Sequence, residues 1–435
     1  MIDSTAAAEQ PGAGELIWAP SRKQQDASRL ADYLRWLRAQ RGLAFDDYAS
    51  LQRWSVTQLE AFWQSIWDYF DVSADGSSDP VLASRSMPGA RWWPNARINY
   101  AEHAFRQETP ERPALIARSE DAAPYEISWA SLRRDTGALA ATLRALGVKP
   151  GDRVAVKLPD GFDWAVAWLG AIWAGGVAVG VNPRIPAPEW QFILEEAGFD
   201  VIVAESAEDT PPPWHSRVSL VDEARAEVTA TAPMPAVPMP EEAPAFWVHS
   251  SGTSGKPKAV VHTHRCVREI GRISAERFGI APGDRLLASS RLFFAYPLTN
   301  LLLAGLRLGA TLLLDAQWPT AKGVAANVAR MRPTVLFSVP SLYRDLLNES
   351  AAGGIAAAGV RLCVSAGEVL PASLRAAWRQ ATGLEMVDGY GASETLVLVL
   401  TAREGDDGLM PSPGVDVLPL APDAALVGAP TRLAF

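Results

Sequence analysis

A run of hydroxyl and glycine residues at 250–255 carries the clearest chemistry of the chain. It lies within His249-Ser250-Ser251-Gly252-Thr253-Ser254-Gly255-Lys256-Pro257-Lys258, between the apolar segments 246–248 and 259–261. Apolar flanks of this length predict two short strands joined by a tight loop. Hydroxyls, exposed backbone N–H groups and lysines bind phosphate oxygens, so the loop is a candidate phosphate site. Its candidate ligands are Ser250, Ser251, Gly252, Thr253, Ser254, Gly255 and Lys256. A hairpin turn that binds nothing is the alternative.

The loop differs from a Walker A loop. Only two residues separate Gly252 from Gly255, Pro257 follows Lys256, and a strand rather than a helix is predicted next. A helix dipole therefore cannot contribute. Hydroxyls, backbone amides and the charge of a lysine would hold the phosphate instead.

Two further segments of small residues follow predicted strands. Ser365-Ala366-Gly367-Glu368 comes after the strand at 362–364, and Asp388-Gly389-Tyr390-Gly391 comes after the strand at 384–387. In an open α/β sheet, ligands bind beyond the carboxyl ends of parallel strands. Two such loops with one aromatic side chain could sandwich a flat purine ring, although either loop alone is more typical of an ordinary turn.

Glu394, within Gly391-Ala392-Ser393-Glu394-Thr395, is a candidate magnesium ligand. A magnesium ion that bridges triphosphate oxygens typically takes one or two protein carboxylates and keeps its waters. A solvated surface glutamate is the alternative. His262 and His264 do not predict a zinc site, because no third ligand is evident. His249 could line a substrate pocket or be a structural histidine.

Strands and helices must hold these loops in place. Apolar strands that alternate with helices from residue 113 onward predict mostly parallel sheets covered by helices. A Pro-rich connector at 231–244 separates two such α/β subdomains, at 111–230 and 245–395. Residues 15–110 form a helical arm, in which Leu37 lies on an apolar stripe and a second helix is predicted to open at Thr57. Residues 1–14 are expected to be disordered.

Composition limits the class of protein. The 435 residues suggest two or three folded units, and 48% hydrophobic with 20% charged residues is ordinary for a globular protein. A net charge of −9 argues against nucleic-acid binding. Two cysteines fit a reducing compartment, the first residues do not resemble a signal peptide, and no apolar run approaches the ~18 residues of a membrane span. We therefore expect a cytoplasmic protein.

The ordered set 250–258, 365–368 and 390–394 resembles the adenylate-forming superfamily of acyl-CoA synthetases and AMP-dependent ligases. The arm, with Trp18-Ala19-Pro20 and the segment 88–100, is similar to acetoacetyl-CoA and acetyl-CoA synthetases. The middle, with Phe293-Phe294-Ala295-Tyr296 and Val387-Asp388-Gly389, is similar to benzoate-CoA ligases.

The resemblance implies a role for each motif. The polar loop would hold the β,γ-phosphates of ATP, with Lys258, Ser393 and Glu394 as catalytic residues and Glu394 as the Mg²⁺ ligand. Adenine would lie among Gly367, Glu368, Asp388, Gly389 and Tyr390. The acyl pocket would be formed by His249, Phe294, Ala295, Tyr296, Ala366 and Gly391. The implied reaction converts a small aromatic or short-chain carboxylic acid to acyl-AMP, followed by thioester formation with CoA or a carrier protein.

The resemblance covers the large N-terminal part of that superfamily. Residues 396–435 are expected to begin its small β-barrel, with strands at 396–400 and 415–418, and the C-terminal lid domain is expected to be absent. A separate C-terminal domain supplied in trans would then complement it, and a homo-oligomer is the other partner considered. The competing hypothesis is a degenerate, non-catalytic module that binds a nucleotide or a partner protein.

Overall fold

The computed structural model describes residues 18–118, 123–207, 210–211, 214, 218–220, 230–250, 256–406 and 408–417. The chain divides into two compact units, Met1–Ala96 and Arg97–Phe435. Each has its own apolar core. Of the helices described, none combines the length and hydrophobicity that a membrane crossing requires.

The first unit consists of helices followed by short strands. Its helices are Arg22–Asp26, Arg29–Arg41, Tyr48–Thr57 and Leu59–Tyr69, and its short strands are β1 (Asp75–Gly76), β2 (Leu82–Ser84), β3 (Arg91–Trp92) and, at its end, β4 (Ala96–Arg97). On the predicted apolar stripe, Leu37 and Tyr33 are buried, whereas Leu30 is exposed. The helix predicted to open at Thr57 is present as Leu59–Tyr69, but its predicted start is wrong: Thr57 ends the preceding helix, where its hydroxyl donates to the Arg53 carbonyl at 2.7 Å.

The second unit is built from alternating strands and helices. Its strands are β5 (Pro113–Arg118), β6 (Tyr125–Ser128), β7 (Arg153–Lys157), β8 (Val177–Gly180), β9 (Val201–Ala204), β10 (Val218–Leu220), β11 (Pro244–Ser250), β12 (Lys258–Thr263), β13 (Arg285–Ala288), β14 (Thr311–Asp315), β15 (Val335–Ser338), β16 (Leu362–Ala366), β17 (Met386–Gly391), β18 (Leu398–Ala402) and β19 (Met410–Pro411).

The helices of the second unit lie between these strands along the chain. They are Tyr100–His103, Trp129–Ala145, Phe162–Trp173, Ala187–Ala197, Arg272–Phe278, Ala321–Met331, Pro340–Asn348, Ala352–Ala357 and Ala372–Thr382. A 3₁₀ helix covers His264–Arg268. A continuous helical stretch at 295–307 consists of Ala295–Pro297, the π-helical part Leu298–Leu303 and Ala304–Arg307.

Two sheets organise the second unit. The six-stranded sheet has the order β10-β9-β7-β8-β11-β12, and its neighbours are parallel except for the β11–β12 hairpin. The nine-stranded sheet has the order β19-β18-β17-β16-β15-β13-β14-β5-β6, parallel from β17 to β5 and antiparallel toward both edges. The predicted α/β class with mostly parallel sheets is confirmed.

The sheets do not follow the ranges predicted for the two subdomains. The β5–β6 hairpin precedes the six-stranded sheet along the chain but pairs with β14 of the nine-stranded sheet. Conversely, the β11–β12 hairpin follows the Pro-rich connector but pairs with β8 of the six-stranded sheet. The connector itself is held along its length: Met239 exchanges two backbone hydrogen bonds with Ile98, and the Trp173 indole donates to the Met234 carbonyl at 2.8 Å.

Strands β18 and β19 extend the nine-stranded sheet, and in the part of the chain that the structure describes they close no barrel. The apolar segment 398–402 instead pairs with β17, which lets its mostly buried side chains join the main core. Residues 415–417 form no strand, so the prediction of a strand starting there is wrong, and residues 418–435 lie outside the described residues.

One apolar core contains side chains from both sheets. Leu115 of β5, Val156 of β7 and Phe246 of β11 belong to it, together with the helix Phe162–Trp173, which is buried over almost its whole length. Burial on this scale is the main favourable term in folding. The two sheets are therefore joined by shared hydrophobic packing.

Candidate active site

The polar loop joins two paired strands, as its flanks predict. Ser250, the last residue of β11, is opposite Lys258, the first residue of β12. Ser251, Gly252, Thr253, Ser254 and Gly255 lie outside the described residues. At the returning end of the loop, the Lys256 ammonium lies 5.1 Å from the centre of the Phe192 ring, and Lys258 is exposed. The loop therefore has two lysines on its C-terminal side.

The two predicted adenine loops lie side by side. Ala366 is opposite Gly389 in the parallel pair β16–β17, so Gly367 and Glu368 leave the sheet next to Asp388–Tyr390. Gly367 has a φ of +90°, a left-handed conformation that favours glycine. Tyr390 is 57% exposed, whereas Asp388 is half-buried, and burial raises the pKa of its carboxyl although Arg375 opposes the shift.

Glu368 has a structural partner that its sequence position did not suggest. Its carboxylate accepts hydrogen bonds from the Ser341 hydroxyl at 2.9 Å and from the Ser341 N–H at 3.2 Å. It thus caps the start of the helix Pro340–Asn348, where a negative charge is favourable. This contact ties the loop after β16 to the helix that follows β15.

The segment 392–396 is a compact turn that presents Glu394. The Ala392 N–H donates to the Thr395 hydroxyl at 3.0 Å, and the Leu396 N–H donates to the Ala392 carbonyl at 3.0 Å. Leu396 has a φ of +62°, and its carbonyl accepts from the buried Thr299 hydroxyl at 2.6 Å. The turn is therefore held from within and by the helical stretch 295–307, while Glu394 remains exposed.

The turn also contacts the hairpin that carries the polar loop. His262 of β12 is bonded through Nε2 to the Ser393 carbonyl at 2.9 Å. The strand that follows the predicted phosphate loop is thus bonded to the turn that carries the predicted magnesium ligand. His264, two residues further, accepts a hydrogen bond at Nδ1 from the Tyr100 N–H at 2.9 Å. Within the described residues, no group of three or more His, Cys, Asp or Glu side chains is arranged to hold a metal ion.

The structure divides the predicted acyl pocket into two parts. His249 and Phe294 line a cavity of about 190 Å³. Ala295, Tyr296, Ala366 and Gly391 are not among the described residues that line it. The Tyr296 hydroxyl donates to the Val364 carbonyl of β16 at 2.9 Å, and burial raises its pKa well above the usual value.

The cavity lies next to the polar loop and is mostly apolar. It is lined by Gly180, Val181, Asn182, Ile185, Glu189, Ile193, His249, Ser250, Pro257, Phe293 and Phe294. An apolar cavity of about 150 Å³ holds benzene. The volume therefore suits one small ring or a short chain.

His249 is one of the polar residues in this wall. Burial lowers the pKa of its imidazole to about 4, so the ring is neutral at pH 7. Its Nε2 is buried and has no hydrogen-bond partner among the described residues. A neutral imidazole in this state can donate to or accept from a polar group of a bound molecule.

The match to a known family settles the class of protein. Residues 101–429, most of the chain, match the family described as "AMP-binding enzyme". The chain belongs to the AMP-binding enzyme family. Residues 48–104 of this family member match the family described as "Acetyl-coenzyme A synthetase N-terminus".

The relatives of this AMP-binding family member include benzoate-CoA ligases and an acetoacetyl-CoA synthetase, the two groups that the sequence resembles. It is 34% identical over 317 residues to a 3-hydroxybenzoate–CoA ligase from Aromatoleum sp. (strain CIB), covering 69% of this chain and 59% of the relative. A solved benzoate CoA ligase from Burkholderia xenovorans LB400 superimposes with a TM-score of 0.65 at 28% identity, over 73% of this chain and 67% of that one.

The arm extends the structural match to a second kind of relative. Acetoacetyl-CoA synthetase from Streptomyces lividans superimposes with a TM-score of 0.68 at 25% identity, and the match covers 89% of this chain and 66% of that one. The chain spans about three fifths of the length of the curated hydroxybenzoate–CoA ligases that it matches, 59% and 61%.

Sequence reasoning missed a buried ion pair beside the site of this AMP-binding family member. Asp160, just after β7, lies 3.8 Å from Arg291 and accepts from the Leu292 N–H at 3.1 Å. Arg291 donates to the Asp315 carbonyl at 2.6 Å. Burial raises the pKa of Asp160 to about 7, although the Arg291 charge lowers it.

This pair holds the segment that continues into Phe293 and Phe294 of the cavity wall. The signal that could have found it is the position of Asp160 at the carboxyl end of a predicted parallel strand, the rule already applied to the other loops. Its partner, 131 positions away along the chain, could not be identified without the fold.

Proposed function

We propose that this protein uses ATP to activate a small carboxylic acid, aromatic or short-chain, as acyl-AMP. The thiol of CoA or of a carrier protein then attacks the acyl carbon, so that a thioester forms and AMP leaves. One observation carries the proposal: three motif regions meet, through the Ala366–Gly389 strand pairing and the His262–Ser393 hydrogen bond. The similarity to hydroxybenzoate–CoA ligases supports the choice of reaction.

In the first step, a carboxylate oxygen attacks the α-phosphorus of ATP, and pyrophosphate leaves. Ser250–Lys256 would bind the β,γ-phosphates, with Lys258 adding positive charge near the loop. The backbone at 367–368 and Asp388–Tyr390 would hold adenine. Ser393 would supply a hydroxyl beside the phosphates. Catalysis would come mainly from positioning and charge neutralisation.

The residues present fit a magnesium ion. Glu394 is exposed on a turn held by side-chain and backbone hydrogen bonds, and a single carboxylate is a common protein contribution to Mg²⁺ that is otherwise bound by phosphates and water. Glu394 would hold the ion, which supplies positive charge to the phosphate oxygens when bound.

The cavity supports a small acid as the substrate. Its volume of about 190 Å³ and its apolar wall fit a single ring or a short chain, and neutral His249 could hydrogen-bond to a polar substituent. The hydroxybenzoate–CoA ligases among the relatives favour an aromatic acid. We also propose that the protein is cytoplasmic. Its proposed partner is a C-terminal domain supplied in trans or a second copy of the chain.

The test is carboxylate-dependent exchange of pyrophosphate into ATP, over a panel of benzoates and short-chain acids. We expect exchange with at least one acid. The Glu394→Gln variant should lower it about 100-fold or more, because it removes charge that holds the metal at the transferring phosphate. Glu276→Gln, a change at an exposed glutamate of the helix Arg272–Phe278, should leave it unchanged.

Two outcomes would change the proposal. Absence of exchange with every acid, while ATP still binds, would reject the autonomous enzyme and favour a non-catalytic nucleotide-binding module. Exchange that appears only when a separate C-terminal domain of a related ligase is added would show that the activity is divided between two chains.

A further inference from the structure

The Ser393–Glu394 turn is held at three places, and one of them links it to another sheet. Thr395 holds the turn from within, and Thr299 holds its exit through the Leu396 carbonyl. His262 comes from β12 of the six-stranded sheet, whereas the turn follows β17 of the nine-stranded sheet. The His262–Ser393 bond therefore spans the two sheets at the site.

The protonation of this bond follows from its acceptor. A carbonyl oxygen only accepts, so Nε2 of His262 must carry the proton and donate to Ser393 at 2.9 Å. The ring is nearly buried and stacks on Phe246, the residue opposite it in the β11–β12 pair, with 5.2 Å between ring centres. The donor is thus fixed in direction by packing on a fully buried side chain.

We propose that His262 is a positioning residue: by holding the Ser393 carbonyl, it fixes the carboxylate of Glu394 relative to the hairpin that carries the phosphate loop. This inference rests on the proposed function, because it assigns the bond a role in binding Mg²⁺ together with ATP. Its physical basis is that a metal ion bridging phosphate and protein requires a fixed separation between the two sets of ligands.

Thr395 and Thr299 cannot replace this role. They determine the shape of the turn and its attachment to the helical stretch 295–307, whereas the phosphate loop leads directly into β12 at Lys258. If the His262 donor is lost, the turn keeps its internal hydrogen bonds while its distance from β12 and from Lys258 becomes variable. The loss should therefore weaken the binding of ATP with Mg²⁺ more than the binding of ATP alone.

The experiment compares three variants of the full chain by calorimetric titration with ATP, once with Mg²⁺ and once with EDTA. His262→Leu removes the donor and keeps an apolar side chain on Phe246. His262→Gln keeps an N–H donor at about the same reach as Nε2. Val261→Thr changes the neighbouring, exposed residue of the same strand and is the matched control.

We expect His262→Leu to weaken Mg²⁺–ATP binding by about five- to tenfold, the effect of one hydrogen bond. Its binding of ATP in EDTA should change by less than about twofold. His262→Gln and Val261→Thr should bind as the unchanged protein does. In nitrogen NMR spectra of the unchanged protein, the His262 ring should show the proton on Nε2.

Each other result overturns the inference. Equal losses with Mg²⁺ and with EDTA would show a general structural role for His262, and unchanged binding by His262→Leu would show that the bond does not matter. A proton on Nδ1 would exclude the hydrogen bond itself. If the unchanged protein binds ATP in neither condition, the proposed function fails, and the role of His262 in ATP binding fails with it. The NMR result then shows separately whether the His262–Ser393 hydrogen bond exists.

Discussion

His264 illustrates how a single buried side chain can make the stability of this protein depend on pH. Its Nδ1 accepts from the Tyr100 N–H, so that nitrogen needs a free lone pair. Burial, with a smaller contribution from the nearby His103, lowers the pKa of the imidazole to about 4. Protonation would therefore both charge a buried ring and break the hydrogen bond.

The sign of the pH effect follows from the two pKa values. Because the folded-state pKa lies below the value of 6.5 for an unperturbed histidine, the folded protein binds fewer protons between pH 6.5 and 4. The stabilising contribution is complete above pH 6.5 and is lost as the pH falls through that window. It amounts to roughly 3 kcal/mol at most.

We predict that His264→Asn will reduce the loss of stability in acid. The Asn Oδ1 can accept from Tyr100 but cannot be protonated in this range, while the smaller side chain should cost about 1 kcal/mol at pH 7. Urea denaturation of both proteins at pH 7, 6, 5 and 4 checks this. Parallel curves for the two proteins would contradict the assignment.

The site residues show where sequence reasoning succeeds and where it fails. Gly367 and Asp388 were placed beside each other because both follow predicted parallel strands, and β16 and β17 do pair there. The Ser341 partner of Glu368 and the Arg291 partner of Asp160 were not predicted. Such partners are determined by the order of strands in a sheet, which the pattern of a single strand does not contain.

At the scale of elements, the β17–β18 pair leaves no room for a side chain at Gly391. A Cβ atom there would lie 2.6 Å from the Val397 carbonyl oxygen, which is backbone and cannot rotate away. The strands must therefore separate if the residue is enlarged. Since the 392–396 turn connects these two strands, its position depends on their close approach.

We predict that Gly391→Ala will lower the free energy of unfolding by about 1–3 kcal/mol, the usual effect of overpacking. It should also weaken the binding of ATP with Mg²⁺, because the turn that presents Glu394 is displaced. Thermal unfolding and calorimetric titration measure the two effects.

Gly353→Ala provides the matched control for this substitution. Gly353 lies in the helix Ala352–Ala357, and a Cβ there would meet nothing within 4 Å. Alanine should be neutral or stabilising by up to about 1 kcal/mol at this position. Equal stabilities of the two variants would show that the β17–β18 pair can adjust at low cost.

Most elements were predictable from apolar patterns, and their ends were less so. The arm helix that carries Leu37 was predictable from its apolar stripe, and Leu37 is fully buried. The helix predicted to open at Thr57 is present as Leu59–Tyr69, but its start was misplaced because another helix, Tyr48–Thr57, ends at that residue. Local propensity is a weak guide where tertiary packing selects the boundary.

At the scale of the whole second unit, the strands of the six-stranded sheet are inserted in the sequence between those of the nine-stranded sheet. Strands β5 and β6 belong to the nine-stranded sheet, β7–β12 form the six-stranded sheet, and β13–β19 complete the nine-stranded sheet. This arrangement places β14 against β5, with Leu312 opposite Leu115, about 200 positions apart along the chain. A single boundary at the Pro-rich connector cannot separate the two sheets, because each sheet contains strands from both sides of the connector.

The shared core predicts that the two sheets unfold together. Leu115 of β5 and Val156 of β7 are both fully buried in the same cluster, although they belong to different sheets. Leu115→Ala should lower the free energy of unfolding by about 2–5 kcal/mol, and Val156→Ala by about 1–3 kcal/mol. Because the cluster packs against both sheets, each variant should increase amide hydrogen exchange in the strands of both.

Hydrogen exchange measured by mass spectrometry can distinguish cooperative from independent behaviour, since segments that open together exchange with a common free energy. Ile202→Val gives the comparison: this residue of β9 is also fully buried, but it packs in a separate cluster around the helix Ala187–Ala197. It should cost about 0.5–1.5 kcal/mol and affect the six-stranded sheet first. If Leu115→Ala increases exchange only in the nine-stranded sheet, the common core does not couple the sheets, and the site between their motifs must be held by its own hydrogen bonds alone.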